Sequence, residues 1–287
     1  MTSAAVLPRR RQIGSSSARS LLLTVLGEYV LPGREPVWTG ALVRALGLVG
    51  VAEKAARQAL ARTAAEGWIA SSRHGRLARW QLTDAGQRLL TDGAERIYTF
   101  GKDGQGWDGR WLIVLVPPAD RGAGGAGRGA ARHQVRTRLT WAGFGALPGG
   151  VWVCPDPGRE AEASGILADL GLADASISFT ARHASIGAQH DIVSRAWDLT
   201  AVEARYAGFI AEFAALNPVT DAETLTAQTL LVHDWRRFPF LDPRLPRDLL
   251  PAGWPGGDAA ELFSARHATW KDGAHRCWTR LAANPPG

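Results

Sequence analysis

The spacing of hydrophobic residues changes abruptly at Gly67, and that change narrows what the first third of the chain can fold into. Before it, apolar residues recur at helical spacing in three short segments. Leu21, Leu22, Val25, Leu26 and Tyr29 share one face of a helix that Ser20 can cap and Leu31-Pro32-Gly33 ends. A second helix runs from about Thr39, a possible cap, through Leu42, Val43 and Leu46 to Gly47. A third spans about residues 52–66, with Gly67 where a helix end commonly places glycine. After Gly67 the period becomes two. Residues 68–73 and 77–82 read as the strands of a β-hairpin with the tip His74-Gly75-Arg76. Thr83-Asp84-Ala85-Gly86 then opens a fourth helix towards Tyr98. Three helices, a basic hairpin and a closing helix predict a winged helix-turn-helix over residues 17–100.

Charge is concentrated in the same region. Fourteen of the 33 Lys and Arg, but only seven of the 27 Asp and Glu, lie in residues 1–100, and the remainder of the chain is close to neutral. A localised basic excess suits a polyanion, because neutralising phosphates releases counterions. Lys54, Arg57, Gln58 and Ala61 share one face of the third helix, while Ala55, Ala59, Leu60 and Thr63 are expected to point inward. A helix of that kind can enter a major groove, where Arg57 reads guanine, Gln58 reads adenine, and Lys54 and Arg62 meet phosphates. Arg73, His74, Arg76 and Arg79 would lie along the neighbouring backbone or minor groove, and Thr39 completes the candidate DNA contacts. A basic helix by itself is equally a solvated face of a protein-binding module. The hairpin beside it favours DNA.

Beyond a polar joint at residues 101–106, Trp111-Leu112-Ile113-Val114-Leu115-Val116 reads as a buried strand stopped by Pro117-Pro118. A helix at 134–141, a strand at 149–155, a helix at 160–170 and a strand at 175–180 give β-α-β-α-β with room for one more strand. This predicts a ferredoxin-like α/β sandwich over residues 107–190. From residue 191 the pattern is helical to the C-terminus. Trp197, Leu199, Val202, Tyr206, Phe209, Ile210 and Phe213 lie on one face, and further helices fall at 222–238 and 259–281 around a proline-rich stretch. The expected class is α+β, with residues 191–287 a helical C-terminal domain. Twelve tryptophans, spread from Trp38 to Trp278, imply that every part of the chain buries something large.

Other functions lack the residues they need. Cys154 and Cys277 form neither a disulfide framework nor a zinc spacing and suit the cytoplasm. No apolar run approaches the roughly 20 residues of a membrane span. Arg9-Arg10-Arg11 precedes an apolar run that continues into a folded helix, so residues 1–16 read as a disordered basic arm rather than a leader. Residues 122–127 match G-x-G-x-x-G, but they stand several residues beyond the strand and no acidic residue follows at ribose distance, so no cofactor is expected. His267, His275 and Cys277 lack a metal-ligand spacing, and no nucleophile with its base is evident, so no catalytic residues are assigned and no enzyme is expected.

Several segments resemble the PaaX family, repressors of phenylacetate degradation. Ala18-Arg19-Ser20-Leu21-Leu22-Leu23-Thr24-Val25-Leu26-Gly27-Glu28-Tyr29-Val30 resembles its opening helix, and Ala55-Ala56-Arg57-Gln58-Ala59-Leu60-Ala61-Arg62 its recognition helix. Trp107-Asp108-Gly109-Arg110-Trp111 resembles the entry to its middle domain. His233-Asp234-Trp235-Arg236-Arg237-Phe238-Pro239-Phe240-Leu241-Asp242-Pro243-Arg244-Leu245-Pro246 resembles its C-terminal signature. The resemblance implies a Cas2-like middle domain that mediates homodimerisation, a double-stranded DNA operator, and an aryl-acetyl-CoA inducer such as phenylacetyl-CoA. Arg236 and Arg237 are candidates for coenzyme A phosphates, with Trp235 or Trp254 against the aromatic group. The alternative is that both tryptophans are core and the arginines pair with Asp234 or Asp242. Ala52 departs from the family's usual helix cap, and the glycine-rich loop is long. A nuclease or RNA-binding module on the Cas2-like domain is the competing function, but Leu115-Val116-Pro117-Pro118 stands where a metal-binding Asp would end the first strand.

Overall fold

In a computed structural model, which describes residues 17–101, 106–117 and 125–283, the first helix begins earlier than its apolar pattern suggests. Ser17, not Ser20, caps α1 (Ala18–Val25), its hydroxyl accepting from the Ser20 N–H at 3.1 Å. The helix continues as a π-turn, Leu26–Val30, closed by the Leu31 N–H on the Leu26 carbonyl at 2.8 Å. Glu28, Tyr29 and Val30 are consecutive and all buried, so this turn is enclosed on several sides. There follow β1 (Val37–Trp38), α2 (Thr39–Leu48), α3 (Glu53–Ala65), β2 (Ile69–His74), β3 (Leu77–Leu82) and α4 (Asp84–Thr99). The strands form an antiparallel sheet in the order β1-β3-β2. Leu21, Leu22, Leu42, Leu46, Ala56 and Leu60 make the core between the helices, and the cross-strand pair Ile69 and Leu82 closes it from the sheet. Gly86 has no room for a side chain, since a Cβ there would stand 2.0 Å from the Trp68 carbonyl oxygen.

A second unit comprises residues 99–214 and 237–262. Its elements are β4 (Arg110–Leu115), α5 (Gly125–Trp141), β5 (Gly145–Leu147), β6 (Val151–Cys154), α6 (Glu160–Asp169) and β7 (Ile177–Arg182). The order β-α-β-β-α-β, with an antiparallel sheet β5-β6-β4-β7, is the ferredoxin-like connectivity. The strand left open by the sequence pattern is β5, whose three residues are too few to carry a period. Helix α5 starts nine residues before the expected 134. Gly125-Ala126-Gly127 is thus helical backbone rather than loop; the rest of the 122–127 run, like the expected basic arm at 1–16, lies outside the described residues. Strand β7 falls two residues later than expected.

The central strand β4 is buried on both faces, which is why it reads as an unbroken apolar run. Leu112 and Val114, with Trp152 and Cys154, meet Val135, Leu139, Ala163 and Leu167 of α5 and α6. Trp111 and Val153 meet Val193 of α7 (Gln189–Ala196), Trp197, and Leu199 of α8 (Leu199–Ala214), together with Leu245 and Leu249. Tyr206 of α8 stacks on Phe238 of α10 (Phe238–Leu241) at 4.2 Å and donates to Asp242 at 2.6 Å.

Residues 191–287, expected as one helical domain, divide between the two units. Residues 215–236 and 263–283 join 17–98 in the first. Helix α9 (Asp221–Trp235), opened by a Thr220/Glu223 capping box, and the second half of α11 (Gly256–Ala283) complete its core with Leu225, Ala274, Cys277 and Trp278. The physical reason lies in α9: of its buried polar residues, Thr224, Thr226 and Thr229 donate to carbonyls four residues back, at 2.8, 3.0 and 2.7 Å, but buried Gln228 and His233 need hydrogen-bonding partners on what the helix packs against. The α1 segment supplies them. Thr24 is 3.0 Å from His233 Nδ1, and Tyr29 is 3.1 Å from the Thr229 hydroxyl while stacking on Trp278. The Glu28 carboxylate, 7% exposed, accepts from Gln228 at 2.9 Å, lies 2.8 Å from His267 Nε2, and accepts from the Tyr98 hydroxyl. Among the described residues no helix is long and apolar enough to cross a membrane.

Burial pushes the Glu28 carboxyl up, but the His267 bond and charge, with the Tyr98 and Gln228 donors, outweigh it and hold the group below its ordinary value. A folded value below the unfolded one gives stability that is full well above the unfolded glutamate pKa of about 4.3 and is lost as pH falls through the lowered value. Glu28→Gln is therefore expected to cost about 2 kcal/mol at pH 7, with the gap to wild type closing at acid pH. Urea unfolding followed by tryptophan fluorescence across a pH series checks this; a gap independent of pH would refute it.

Candidate nucleic-acid interface

Helix α3 starts at Ala52, which supplies no side-chain cap, and the carboxylate of Glu53 in the first turn partly compensates at the positive end of the helix. It ends in a Schellman motif. Gly67, at φ 78°, donates to Ala64 O, and Trp68 donates to Thr63 O. The buried face is Ala56, Ala59, Leu60 and Thr63, so Ala56 rather than Ala55 is the inward residue at that turn, and Ala55 is half-buried. These side chains are mostly small, so α3 sits close against α1 and α2. Thr63 meets its own hydrogen-bonding need through the Ala59 carbonyl at 2.8 Å.

The opposite face presents Lys54, Arg57, Gln58, Ala61 and Arg62, all exposed. Arg57 Nε lies 2.9 Å from Glu53 Oε1, with the two side chains 58% and 64% exposed. An exposed pair one turn apart stabilises by only about 0.3–0.5 kcal/mol. It orients the guanidinium without committing it.

The β2–β3 hairpin closes through the two central residues Gly75 and Arg76, with φ 62° at Gly75 and no left-handed φ at Arg76, as in a type II′ turn. Arg73, His74 and Arg76 are exposed. Arg79 is not: it is half-buried, with its guanidinium 4.0 Å over the Trp38 ring, which His74 also meets edge-on at 6.0 Å. Thr39 needs correction twice. Trp38 occupies the cap position of α2, and the Thr39 hydroxyl donates to Ala78 O at 3.1 Å while accepting from Trp80 Nε1 at 2.9 Å. Its one O–H already ties α2 to β3, leaving none for a phosphate. Trp38 is the residue that sequence reasoning missed, because a two-residue strand shows no pattern. At the far end of α3, Arg19 pairs with Glu66 and lies 4.9 Å over Trp68, fastening the helix to α1.

The four residues considered for an anionic effector do not assemble within one unit. Trp235 is fully buried, stacks on Phe263 at 4.7 Å and donates to the Ile97 carbonyl at 3.1 Å, so it is core and has no free face. Arg236 donates to the hydroxyl of Ser20, which lies within the first turn of α1, at 2.7 Å. Arg237 and Trp254 belong to the second unit, where Trp254 meets Tyr206 edge-on at 5.9 Å. His267 is bound to Glu28, His275 lies edge-on to Tyr29 at 5.4 Å, and Cys277 is in the core.

Three family models match the chain in order: PaaX-like protein over residues 17–86, the PaaX protein central Cas2-like domain over 104–193, and the PaaX-like protein C-terminal domain over 197–280. The transcriptional repressor PaaX of Escherichia coli K12 is 34% identical over 257 residues, which cover 86% of this chain and 78% of that protein. Among solved structures, the uncharacterized protein Rv0674 from Mycobacterium tuberculosis superposes with a TM-score of 0.59 at 24% identity. That match covers 93% of this chain and 99% of the other, and it supports the fold alone.

Thr39→Val removes the hydroxyl that joins α2 to β3 and leaves the Trp80 N–H without its acceptor. A loss of about 1–2 kcal/mol is expected, read by chemical denaturation, with no change in helix content. A variant as stable as wild type would mean that this bond does not hold the sheet to α2.

Proposed function

The chain belongs to the PaaX family, and on that premise we propose that it is a transcriptional repressor that binds double-stranded operator DNA through α3. In this reading α2, the turn at 49–52 and α3 form a helix-turn-helix, with α3 in the major groove and the β2–β3 hairpin as a wing. The observation that carries it is the face of α3 on which Lys54, Arg57, Gln58 and Arg62 stand free of the core, beside exposed Arg73, His74 and Arg76 in the same unit. Arg57 and Gln58 have the donors to read guanine and adenine, while Lys54, Arg62 and the hairpin cations position the module on phosphates. Arg79 contributes by rigidity, its guanidinium held on Trp38 behind the hairpin.

The protein acts in the cytoplasm as a homodimer through the middle domain, placing two α3 helices roughly 34 Å apart, one DNA turn, or a multiple of it, on a palindromic site. An aryl-acetyl-CoA thioester, such as phenylacetyl-CoA, releases the operator of an aromatic-acid catabolic gene set. To do so it must bind the DNA-free arrangement more tightly than the DNA-bound one. Support for repression comes from the E. coli relative, and support for the effector from the resemblance to the family along the chain. Phosphodiester cleavage by the middle domain has no comparable support, since β4 runs out into Leu115, Val116 and Pro117.

Selection of bound duplexes from random DNA supplies the operator for the test. Arg57→Ala is expected to weaken binding by about 1–3 kcal/mol and relax base preference at one position per half-site. Lys54→Ala weakens binding to all sequences alike and lowers the salt slope by about one. If both variants titrate like wild type, α3 is not the reading helix.

A further inference from the structure

The second unit holds a cavity of about 600 Å³ at the end of its sheet, under the described part of α5. Its floor is apolar, made by Val116, Trp152 and Leu172. One wall is bare backbone. Gly150, at φ 81°, lies so close to β4 that a Cβ there would stand 2.2 Å from the Val116 carbonyl oxygen, and the Val116 N–H donates to Gly150 O at 2.8 Å. The rim is different in kind. Arg132, His133 and Arg136 line it, all three exposed, and none has an ion pair or hydrogen bond among the described residues. Arg138, half a turn further on, is by contrast tied to Asp169 at 2.6 Å.

Those features select a ligand. The volume and apolar lining match pockets for organic molecules, which run from roughly 300 to 1,000 Å³. Arg132 and Arg136 are one turn apart and repel each other, with no carboxylate between them to offset it. An anionic group at the rim removes that repulsion and gains charge-assisted hydrogen bonds from two guanidinium forks. The occupant is therefore amphipathic, with a flat apolar body for the Trp152 floor and phosphate or carboxylate for the α5 rim. We infer that this cavity, rather than the Trp235–Arg237 segment, is the effector site, seating the aryl-acyl end of a thioester inside and the phosphates of its carrier along α5. The inference rests on the effector reading above and adds a location to it.

Calorimetry on the full chain with phenylacetyl-CoA, coenzyme A alone and phenylacetate alone tests it. Two variants accompany wild type: Arg132→Ala/Arg136→Ala, which alters only exposed side chains, and Ala146→Phe, which fills the cavity from β5. The expected result is tight binding of the thioester by wild type and at least tenfold weaker binding of each half alone. Each variant should lose at least tenfold in thioester affinity while binding the selected duplex as wild type does. If wild type binds the thioester and neither variant changes it, the effector reading stands and this site is wrong. If wild type binds none of the probes, both fall together. If the double-arginine variant loses duplex affinity and keeps thioester affinity, those cations serve nucleic acid and the inference is overturned.

Discussion

A buried carboxylate must find donors, and in this protein the requirement of Glu28 organises the first unit. The π-turn carries Glu28 and Tyr29 into the interior together. Their partners come from Tyr98 at the end of α4, from Gln228 and Thr229 on α9, and from His267 on α11. Leaving any of these groups unpaired in a low-dielectric interior costs more than the net gain of making the bond. The unit is therefore assembled from chain segments roughly two hundred residues apart. Leu225, Ala274, Cys277 and Trp278 share one apolar core with Leu21, Leu42 and Leu60, so the N-terminal elements are not closed without them.

The exposed basic face of α3 follows from that closure by division of labour around the helix. Its inner face carries alanines, one leucine and a threonine that bonds to its own helix, so nothing polar on the helix demands a partner from the core. All the charged groups are thereby left on the outer face, where weak pairing such as Arg57 with Glu53 keeps them available. The hairpin is held by a different device, the Trp38–Arg79 stack and the Thr39 hydroxyl between Ala78 and Trp80. Thr39 and Arg79, both counted as DNA contacts from sequence, thus each have a partner within the fold.

Much of this was legible beforehand. The three helices and the hairpin of the first unit, the buried β4 strand and the exposed residues of α3 all follow from period and from glycine placement. Those signals are local, spanning one or two turns or a few strand residues. Less legible were features set by one short contact: the Ser17 cap, the three-residue β5, and Trp38 as a platform. A chain pattern cannot report a guanidinium above a ring contributed by another strand. Trp235 and Arg236 sit in a distinctive sequence segment, yet one is core and the other is bound to Ser20. A distinctive motif marks constraint, and here part of the constraint is packing.

By itself the sequence settled the longer helices and strands and their order, the side of α3 that faces water, and the location of the excess positive charge, because each depends on neighbours within a few residues. Only the tertiary structure decided that the C-terminal helices split between two units. It also decided that the Thr39 hydroxyl bonds to Ala78 and Trp80, that the Arg79 guanidinium lies over Trp38, and that the open cationic rim lies on α5. These outcomes depend on which buried polar groups find partners across the chain, and hydrogen-bond satisfaction between distant segments leaves no periodic trace.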